Sequence, residues 1–223
     1  MRLVVLVQYS DTKLKKLKKN LKLIVFDLDG TIANTNNLIL SCFAQLFGHN
    51  KKYYIKFMGP PSKKIIAKLF PKSSKKQINL YNHLWTNTFK NKLKTKSWIP
   101  KNTTNLLKKL NEKYLLGIIT SASKKTAIIT LKHNLRFFDF VICAEQQKEH
   151  KPNPETLNKI IKEYNLKPSS VIYVGDNVND IVFGKNAKTK TIGKVDVLYN
   201  AKQLKKYKPD LIIKNLSELK CLL

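Results

Sequence analysis

Two aspartates one residue apart are the most chemically suggestive residues of the chain. Asp27 and Asp29 follow the apolar run Leu-Ile-Val-Phe at 23–26, and Gly30 comes directly after them. A continuous apolar run predicts a buried parallel strand, and the glycine permits a sharp turn at its end. Because alternate side chains of a strand share a face, both carboxylates can enter one pocket. A cation is the natural partner of two carboxylates in one pocket. The plainer alternative is a solvated turn, and these residues alone do not decide between the two interpretations.

Two further apolar runs end in polar residues suited to phosphate chemistry. The run 114–119 is followed by Thr120 and Ser121, and a later one is followed by Asp176 and Asp180. Because the carboxyl ends of parallel strands meet at one edge of a sheet, we expect all these groups to lie near the first aspartate pair. The chain has only 14 acidic residues, so the position of four of them after two strands is hard to attribute to chance.

Apolar runs alternate with helical patterns over most of the chain, which is typical of an α/β fold. The alternation predicts a Rossmann-like parallel sheet with right-handed crossovers, built from residues 21–35 and 98–223. The predicted strands lie at 23–28, 114–119, 140–143, 171–174, 189–192 and 210–213. Asn153 and Pro154 predict the start of a helix, as its N-cap and its first helical residue.

Residues 36–97 carry helical patterns only and predict an all-helical cap inserted after the first strand. Tyr81, Trp85 and Phe89 form an aromatic stripe at helical spacing, which we interpret as a packing core rather than a ligand site. The loop at 56–62 is expected to face the substrate, where Lys56 or Lys63 would contact an anionic group. Near the amino-terminal end, leucines 14, 17 and 21 lie at helical spacing and predict an amphipathic helix. The role of residues 1–20 is unclear from the sequence.

Composition excludes several classes of protein. A hydrophobic content of 43% in 223 residues supports a folded core. No apolar run approaches the roughly 18 residues of a membrane span, and the first residues do not resemble a secretion signal. Three scattered cysteines suit reduced thiols. We therefore expect a cytoplasmic protein without a membrane partner.

The formal charge of +29 raises the possibility of a nucleic-acid partner. Only two of the 43 basic residues are arginine, the residue best suited to forked phosphate contacts, and the lysines spread along the whole chain. This pattern favours compositional drift over selected binding to polyanions, although nonspecific contact through charge stays open. In either case the field attracts small anionic substrates.

Four motifs in order resemble those of the haloacid dehalogenase superfamily. They are Phe-Asp-Leu-Asp-Gly-Thr at 26–31, Ile-Ile-Thr-Ser at 118–121, Lys-Pro-Asn-Pro-Glu at 151–155 and Gly-Asp-x-x-x-Asp at 175–180. Each motif is weak by itself, whereas four in register are specific. Their spacing, and the position of the helical insert, resemble the phosphoglycolate phosphatase-like branch, and the similarity runs from about residue 22 to the end.

The resemblance implies a role for each motif residue. Asp27 would be the nucleophile that forms an aspartyl-phosphate, and Asp29 would protonate the leaving oxygen and then activate water. Thr120, Ser121 and Lys151 would bind the phosphoryl group. A Mg²⁺ ion would be held by a set of four aspartates, in which Asp29 contributes its backbone carbonyl: Asp27, Asp29, Asp176 and Asp180.

These roles predict a Mg²⁺-dependent phosphatase that acts on a small phosphorylated metabolite. Phosphoglycolate, pyrophosphate and a sugar phosphate are the candidate substrates. The second aspartate, Asp29, favours phosphoryl transfer over dehalogenation, since the resemblance implies that dehalogenases lack it. One alternative is a phosphomutase of the β-phosphoglucomutase type. The alternative of another class is a non-catalytic protein that binds RNA or another polyanion on the same fold.

Overall fold

A parallel β-sheet forms the centre of the molecule. The computed structural model describes residues 11–222, and their side chains from residue 15. The described residues form a six-stranded parallel sheet in the order β3-β2-β1-β4-β5-β6. The strands are β1 (Leu23–Phe26), β2 (Leu115–Ile119), β3 (Phe140–Ile142), β4 (Val171–Gly175), β5 (Lys190–Lys194) and β6 (Leu211–Ile213). The α/β fold and all six predicted strands are confirmed, with ends that differ by at most a few residues.

Strand β1 lies between the two strands that carry the other predicted site residues. Leu23 is paired in register with Leu115 of β2 on one side and with Val171 of β4 on the other. All three strands run in the same direction, so their carboxyl ends lie side by side. The polar residues that follow them are therefore brought to one edge of the sheet, as predicted.

Helices cover the sheet and form the cap. They are α1 (Asp11–Lys18), α2 (Asn36–Phe47), α3 (Lys51–Ile55), α4 (Ser62–Leu69), α5 (Lys75–Leu93), α6 (Lys101–Asn111), α7 (Lys124–Leu131), α8 (Glu155–Glu163), α9 (Val178–Asn186) and α10 (Ala201–Lys205). Short 3-10 turns lie at Lys132–Phe137, Ala144–Gln146, Pro168–Ser170 and Leu216–Leu222.

Alternation along β1 divides the core between the two faces of the sheet. Ile24 and Phe26 pack with leucines of α6, whereas Leu23 and Val25 pack with the apolar side of α8. All four side chains are fully buried. This is the arrangement expected of a strand buried on both faces, and it explains why the run has no polar residue.

The cap helices α2 to α5 share a separate apolar cluster built largely from aromatic rings. Phe43 is the central ring, with its centroid 5.5 Å from that of Tyr54 and 4.9 Å from that of Trp85. Trp85 in turn stacks on Phe89 at 5.0 Å. The helical cap and the packing of its aromatic stripe are thus as the sequence predicts. The five-residue helix α3 was not predicted, because it is too short to show a period.

The predicted start of one helix needs correction. Helix α8 begins at Glu155 with Pro154 at the N-cap position, one residue later than predicted. Asn153 still contributes to the start of this helix, because its Oδ1 accepts a hydrogen bond from the Glu155 N–H at 3.0 Å.

The helix predicted near the amino terminus is present as α1. Leu17 and Leu21 are buried against the sheet core, so this segment packs on the α/β unit. The side chain of residue 14 and all of residues 1–10 lie outside the described part of the chain. Among the described residues, no helix combines the length and the apolar character that crossing a membrane would require.

Candidate active site

The carboxyl edge of the sheet and the cap enclose a cavity of about 650 Å³. Its lining includes every residue that the sequence assigned to the site: Asp27, Asp29, Thr120, Ser121, Lys151, Asp176 and Asp180. We call Asp27, Lys151, Asp176 and Asp180 the charged floor of this cavity. All four floor side chains are buried, although ionisable groups are among the residues most often found at protein surfaces.

Three carboxylates of the floor meet closely. Asp27, Asp176 and Asp180 each offer an oxygen atom, and these atoms all lie within 4.8 Å of one another. Asp27 follows β1 directly, and its N–H donates to the Val174 carbonyl at 2.9 Å, which extends the pairing with β4 by one residue. Backbone pairing therefore fixes the position of Asp27 beside the end of the strand that carries Asp176.

Lys151 supplies the positive charge of the floor. Its Nζ donates to Asp27 Oδ1 at 2.7 Å, to Asp180 Oδ1 at 2.6 Å and to the Tyr173 hydroxyl at 3.2 Å. Burial by itself would lower the pKa of this lysine, but Asp180 and Asp27 raise it well above its ordinary value. The ammonium group therefore stays charged, and it bridges two of the three clustered carboxylates.

One lysine does not neutralise the floor. Burial raises the pKa of Asp27 to about 7, against the opposing effect of Lys151 and with a further contribution from Asp180. The pKa of Asp176 is raised well above its ordinary value by burial and then by the charges of Asp180 and Asp27. A second cation near these carboxylates would relieve this repulsion, so the cluster is a candidate metal site.

Asp176 is oriented by two residues that the sequence analysis did not identify. Thr31 donates its hydroxyl to Asp176 Oδ1 at 2.9 Å, and the Asn36 amide nitrogen donates to Asp176 Oδ2 at 2.7 Å. The same nitrogen lies 2.7 Å from Asp196 Oδ2. Asp196 lies two residues beyond the end of β5, so a search for polar residues just after the predicted strands would have identified it. No motif of the sequence indicates Asn36.

Asp180 has two structural roles. Its Oδ2 accepts a hydrogen bond from the Asn177 N–H at 3.0 Å and completes a capping box at the start of α9. Its other oxygen binds Lys151. The residue is thus a helix-capping acid and also a member of the charged floor.

Asp29 stands apart from the clustered carboxylates. The Thr35 hydroxyl donates to Asp29 Oδ1 at 2.6 Å, and the Asp29 side chain is not part of the described three-carboxylate group. Burial raises the pKa of Asp29, while the hydrogen bond from Thr35 opposes this effect. A raised pKa favours the protonated form, which is the form that a proton donor requires.

Thr120 and Ser121 lie at the end of β2, and their hydroxyl groups have different partners. Thr120 is buried, and its Oγ1 accepts from the Ala122 N–H at 3.1 Å. The Ser121 hydroxyl donates to the carbonyl of Gly59, in the cap, at 2.7 Å. Thr120 does not cap α7, because Ser123 occupies that position. Ser121 instead links the sheet edge to the cap.

Gly30 is the position where the site tolerates no side chain. Its φ of +79° favours glycine, and a Cβ atom there would overlap the Asn36 amide and the Asp176 carboxylate. The glycine of the first motif therefore does more than permit a turn. It allows the loop to lie directly against the carboxylate that Thr31 and Asn36 orient.

The cap loop faces the cavity, and one of the two lysines offered as contacts for an anionic group lines it. Lys63 is at the cavity. Lys56 is not among the residues that line it; its Nζ lies over the rings of Tyr53 and Phe57, 4.6 and 5.1 Å from their centroids. Of the two alternatives, the position of Lys63 fits contact with an anionic group, and that contact stays a prediction.

The family model for haloacid dehalogenase-like hydrolases matches residues 24–194. The pyrophosphatase PpaX of Bacillus mycoides is 32% identical over 204 residues, which cover 88% of this chain and 94% of that protein. The PpaX of Bacillus velezensis is 31% identical over 209 residues, covering 90% and 95% of the two chains. A predicted phosphoglycolate phosphatase from Haemophilus somnus has a similar fold, with a TM-score of 0.76 and 21% identity over 90% of this chain and 97% of that one.

These findings, together with the four motifs at one sheet edge, define the class of the protein. The chain belongs to the haloacid dehalogenase-like hydrolase family. It is an enzyme, and its similarity to named phosphatases over nearly its whole length supports phosphatase activity rather than mutase activity.

Proposed function

We propose that the protein is a Mg²⁺-dependent phosphatase that hydrolyses a small phosphorylated metabolite through an aspartyl-phosphate on Asp27. The observation that carries the proposal is the charged floor, in which three carboxylates offer oxygen atoms within 4.8 Å of one another and Lys151 forms ion pairs with two of them. Phosphoryl transfer needs a nucleophile, a cation and donors for the phosphoryl oxygens at one place.

The donor set fits Mg²⁺. Asp27, Asp176 and Asp180 provide carboxylate oxygens only, which suits a hard cation, and the raised pKa of Asp176 indicates that positive charge is needed there. We propose these three residues, with the backbone carbonyl of Asp29, as the metal site. The bound ion would supply charge neutralisation between the carboxylates and the phosphate.

Each floor residue then has a task that its environment favours. Asp27 attacks phosphorus, and the P–O bond to the leaving group breaks as the new bond to the carboxylate oxygen forms. Lys151 reduces the repulsion between this carboxylate and the phosphate, which is about 4 kcal/mol per charge pair at 4 Å and an effective dielectric of 20. Thr120, Lys151 and the N–H groups near Ser121 bind the phosphoryl oxygens.

Asp29 is assigned the proton transfers. In its protonated form it gives its proton to the leaving oxygen, and it then takes a proton from the water that hydrolyses the aspartyl-phosphate. The hydrogen bond from Thr35 holds Asp29 in place without adding a charge. The two aspartates of the first motif thus divide nucleophilic and acid–base chemistry between them.

The division of the chain follows from the same proposal. Residues 21–35 and 98–223 would form the catalytic core, residues 36–97 the cap, and residues 1–20 an extension that packs through Leu17 on that core. Phosphoglycolate, pyrophosphate and a sugar phosphate are the starting candidates, and pyrophosphate is supported by the name of the PpaX relatives. A cytoplasmic location stays a prediction.

Two other functions were open from the sequence. A β-phosphoglucomutase-like mutase is not favoured, because the relatives above 30% identity are named as pyrophosphatases. A non-catalytic RNA-binding protein is opposed by the complete charged floor. Steeply salt-dependent RNA binding without phosphatase activity would support that alternative.

The direct test is turnover of purified protein on a panel of phosphate esters and pyrophosphate, with Mg²⁺ and after chelation. We expect phosphate release from at least one substrate, lost with the chelator and restored by Mg²⁺. Equal turnover with and without metal would contradict the proposal, as would conversion of a sugar 1-phosphate to the 6-phosphate without phosphate release.

A further inference from the structure

The cap side of the cavity has a chemistry that the proposed function does not use. Six apolar side chains of the cap are among the residues that line it, and we call them the apolar wall: Phe43, Met58, Ile65, Ile78, Trp85 and Phe89. Each is at most 7% exposed, so the wall is part of the cap core as well as a cavity surface. The aromatic stripe that the sequence analysis interpreted as packing therefore also lies beside the candidate substrate site.

The cavity is larger than a small dianion needs. Its volume of about 650 Å³ lies within the range of roughly 300–1,000 Å³ typical of pockets that bind drug-sized molecules. Phosphoglycolate or pyrophosphate at the floor would leave most of this space to water beside the apolar wall. Water in contact with apolar surface is displaced favourably by an apolar group.

The charges around the cavity do not suit a second phosphate. Besides Lys151, which is bound to Asp27 and Asp180, the described lysines of the lining are Lys63 and Lys64, and both are exposed. No arginine is among the described lining residues. A second phosphate group would therefore meet cations only at the solvent-exposed rim.

We propose, on the basis of the phosphatase function above, that the substrate is a phosphate monoester whose leaving alcohol carries an apolar, ring-sized group. The phosphate would lie at the charged floor and the ring against Met58, Ile78 and Trp85, the three residues of the apolar wall that are each 7% exposed. Aromatic side chains favour a planar ring because offset and edge-to-face contacts add to the burial of apolar surface. On hydrolysis the alcohol keeps its ring and takes the proton from Asp29.

The kinetic test compares phosphate esters of primary alcohols that differ in the group they carry. We expect kcat/KM for 2-phenylethyl phosphate to exceed that for ethyl phosphate, phosphoglycolate and pyrophosphate by at least tenfold, since even one well-buried methylene contributes roughly tenfold or more. Phosphatase activity with no preference for the phenyl ester, or with pyrophosphate as the best substrate, would overturn this inference and leave the proposed function intact.

A binding measurement keeps the inference testable if no ester is hydrolysed. We expect 2-phenylethylphosphonate, which has no scissile ester, to bind at least tenfold more tightly than ethylphosphonate in calorimetric titrations with Mg²⁺ present. Equal affinities would overturn the inference. Tight binding without any ester hydrolysis would support the apolar subsite and count against the proposed function.

Variants of α5 test whether the apolar wall causes the preference for the phenyl ligand. Trp85→Ala is expected to remove the preference for the phenyl ligand in both assays, and Trp85→Phe, which keeps a ring in the cap core, to reduce it less. Leu84→Ala is the matched control, because Leu84 is 45% exposed and does not line the cavity. If the preference survives in Trp85→Ala, or is lost equally in Leu84→Ala, the apolar wall is not the site.

Discussion

The two sides of the cavity are built by different kinds of interaction. In the charged floor, side chains are held by directed bonds such as those from Lys151 to Asp27 and Asp180. In the apolar wall, rings such as Phe43 and Trp85 are held by packing, with ring centroids 4.9 Å apart. Directed bonds depend on single atoms, whereas packing depends on volume, so the floor should tolerate far less change than the wall.

The difference also separates chemistry from recognition. The floor residues come from the ends of β1 and β4, from the first turn of α9 and from the loop before α8, and in the proposed function they carry the chemistry. The wall belongs wholly to the cap, so we expect that it can change without disturbing the floor. A family with this division can keep one reaction and vary its substrates by changing cap residues.

The most severe change to the floor is removal of the proposed nucleophile. We expect Asp27→Asn to lower kcat by about a thousandfold or more, because the amide does not form an aspartyl-phosphate. Steady-state phosphate release measures the loss, and circular dichroism checks the fold. Glu163→Gln makes the same chemical change at an exposed residue of α8 and should keep full activity. Substantial turnover by Asp27→Asn would exclude Asp27 as the nucleophile.

Removal of the floor's cation should affect stability as well as activity. Lys151→Met leaves Asp27 and Asp180 buried without their shared counter-ion, and breaking a buried ion pair costs about 3–5 kcal/mol. Urea unfolding measures this change in the free energy of unfolding. Lys159→Met is the control, since Lys159 pairs with Glu163 at the surface at 3.8 Å and such pairs contribute little. Equal effects of the two variants would contradict the structural role of Lys151.

The pH dependence of the free energy of unfolding should reveal how unfavourable the buried, charged carboxylates of the floor are. The pKa of Asp27 is about 7 in the folded protein against an ordinary value of 3.8, so between these values the folded state retains a proton that the unfolded state has lost. The free energy of unfolding should therefore fall as pH rises from about 4 to about 7, by an amount on the order of a few kcal/mol.

Chemical unfolding of chelator-treated protein at several pH values measures this slope. Asp27→Asn removes one contributing group and should flatten the curve, while Asp176, whose pKa is also raised, retains part of it. An unchanged slope in the variant would show that Asp27 does not titrate in this range.

The wall should respond weakly to a conservative change. Ile78→Val removes one methylene at a residue that is 7% exposed, so we expect a loss of about 0.5–1.5 kcal/mol of stability. Activity on ethyl phosphate should stay within a few-fold of the original. Loss of activity comparable to that of Asp27→Asn would show that wall and floor are not separable.

The smallest expected effect concerns the hydrogen bond that links the sheet edge at Ser121 to the cap loop at Gly59. Ser121→Ala removes the hydrogen bond from the Ser121 hydroxyl to the Gly59 carbonyl and should cost about 0.5–1.5 kcal/mol. Amide exchange in residues 56–62 should become faster, because the loop loses its contact with the sheet edge. Unchanged exchange would show that other contacts hold the loop in place.

The floor was more predictable from the sequence than the wall, for a physical reason. Parallel strands bring their carboxyl ends together, so residues placed directly after strands, such as Asp27, Thr120 and Asp176, converge whatever the details of packing. Thr31 and Asn36 were missed because the backbone approach that makes them partners of Asp176 is tertiary and leaves no periodic pattern. The catalytic tasks of the floor residues stay predictions.

The wall shows what periodicity leaves open. Helical spacing correctly grouped Trp85 and Phe89 on one buried face of α5. Spacing shows which residues share a face, but it does not show whether another side chain fills the space in front of that face. The same limit explains Lys56, whose place in the loop suggested contact with substrate while its side chain lies over Tyr53 and Phe57.

Gly30 has a consequence for how this enzyme can be lost during evolution. Any replacement there adds atoms where the Asn36 amide and the Asp176 carboxylate now lie. We therefore expect an inherited substitution of Gly30 to inactivate the enzyme, although the codons for all the proposed catalytic residues would be unchanged. A reader of variant sequences who checked only the aspartates and the lysine would count such an allele as functional.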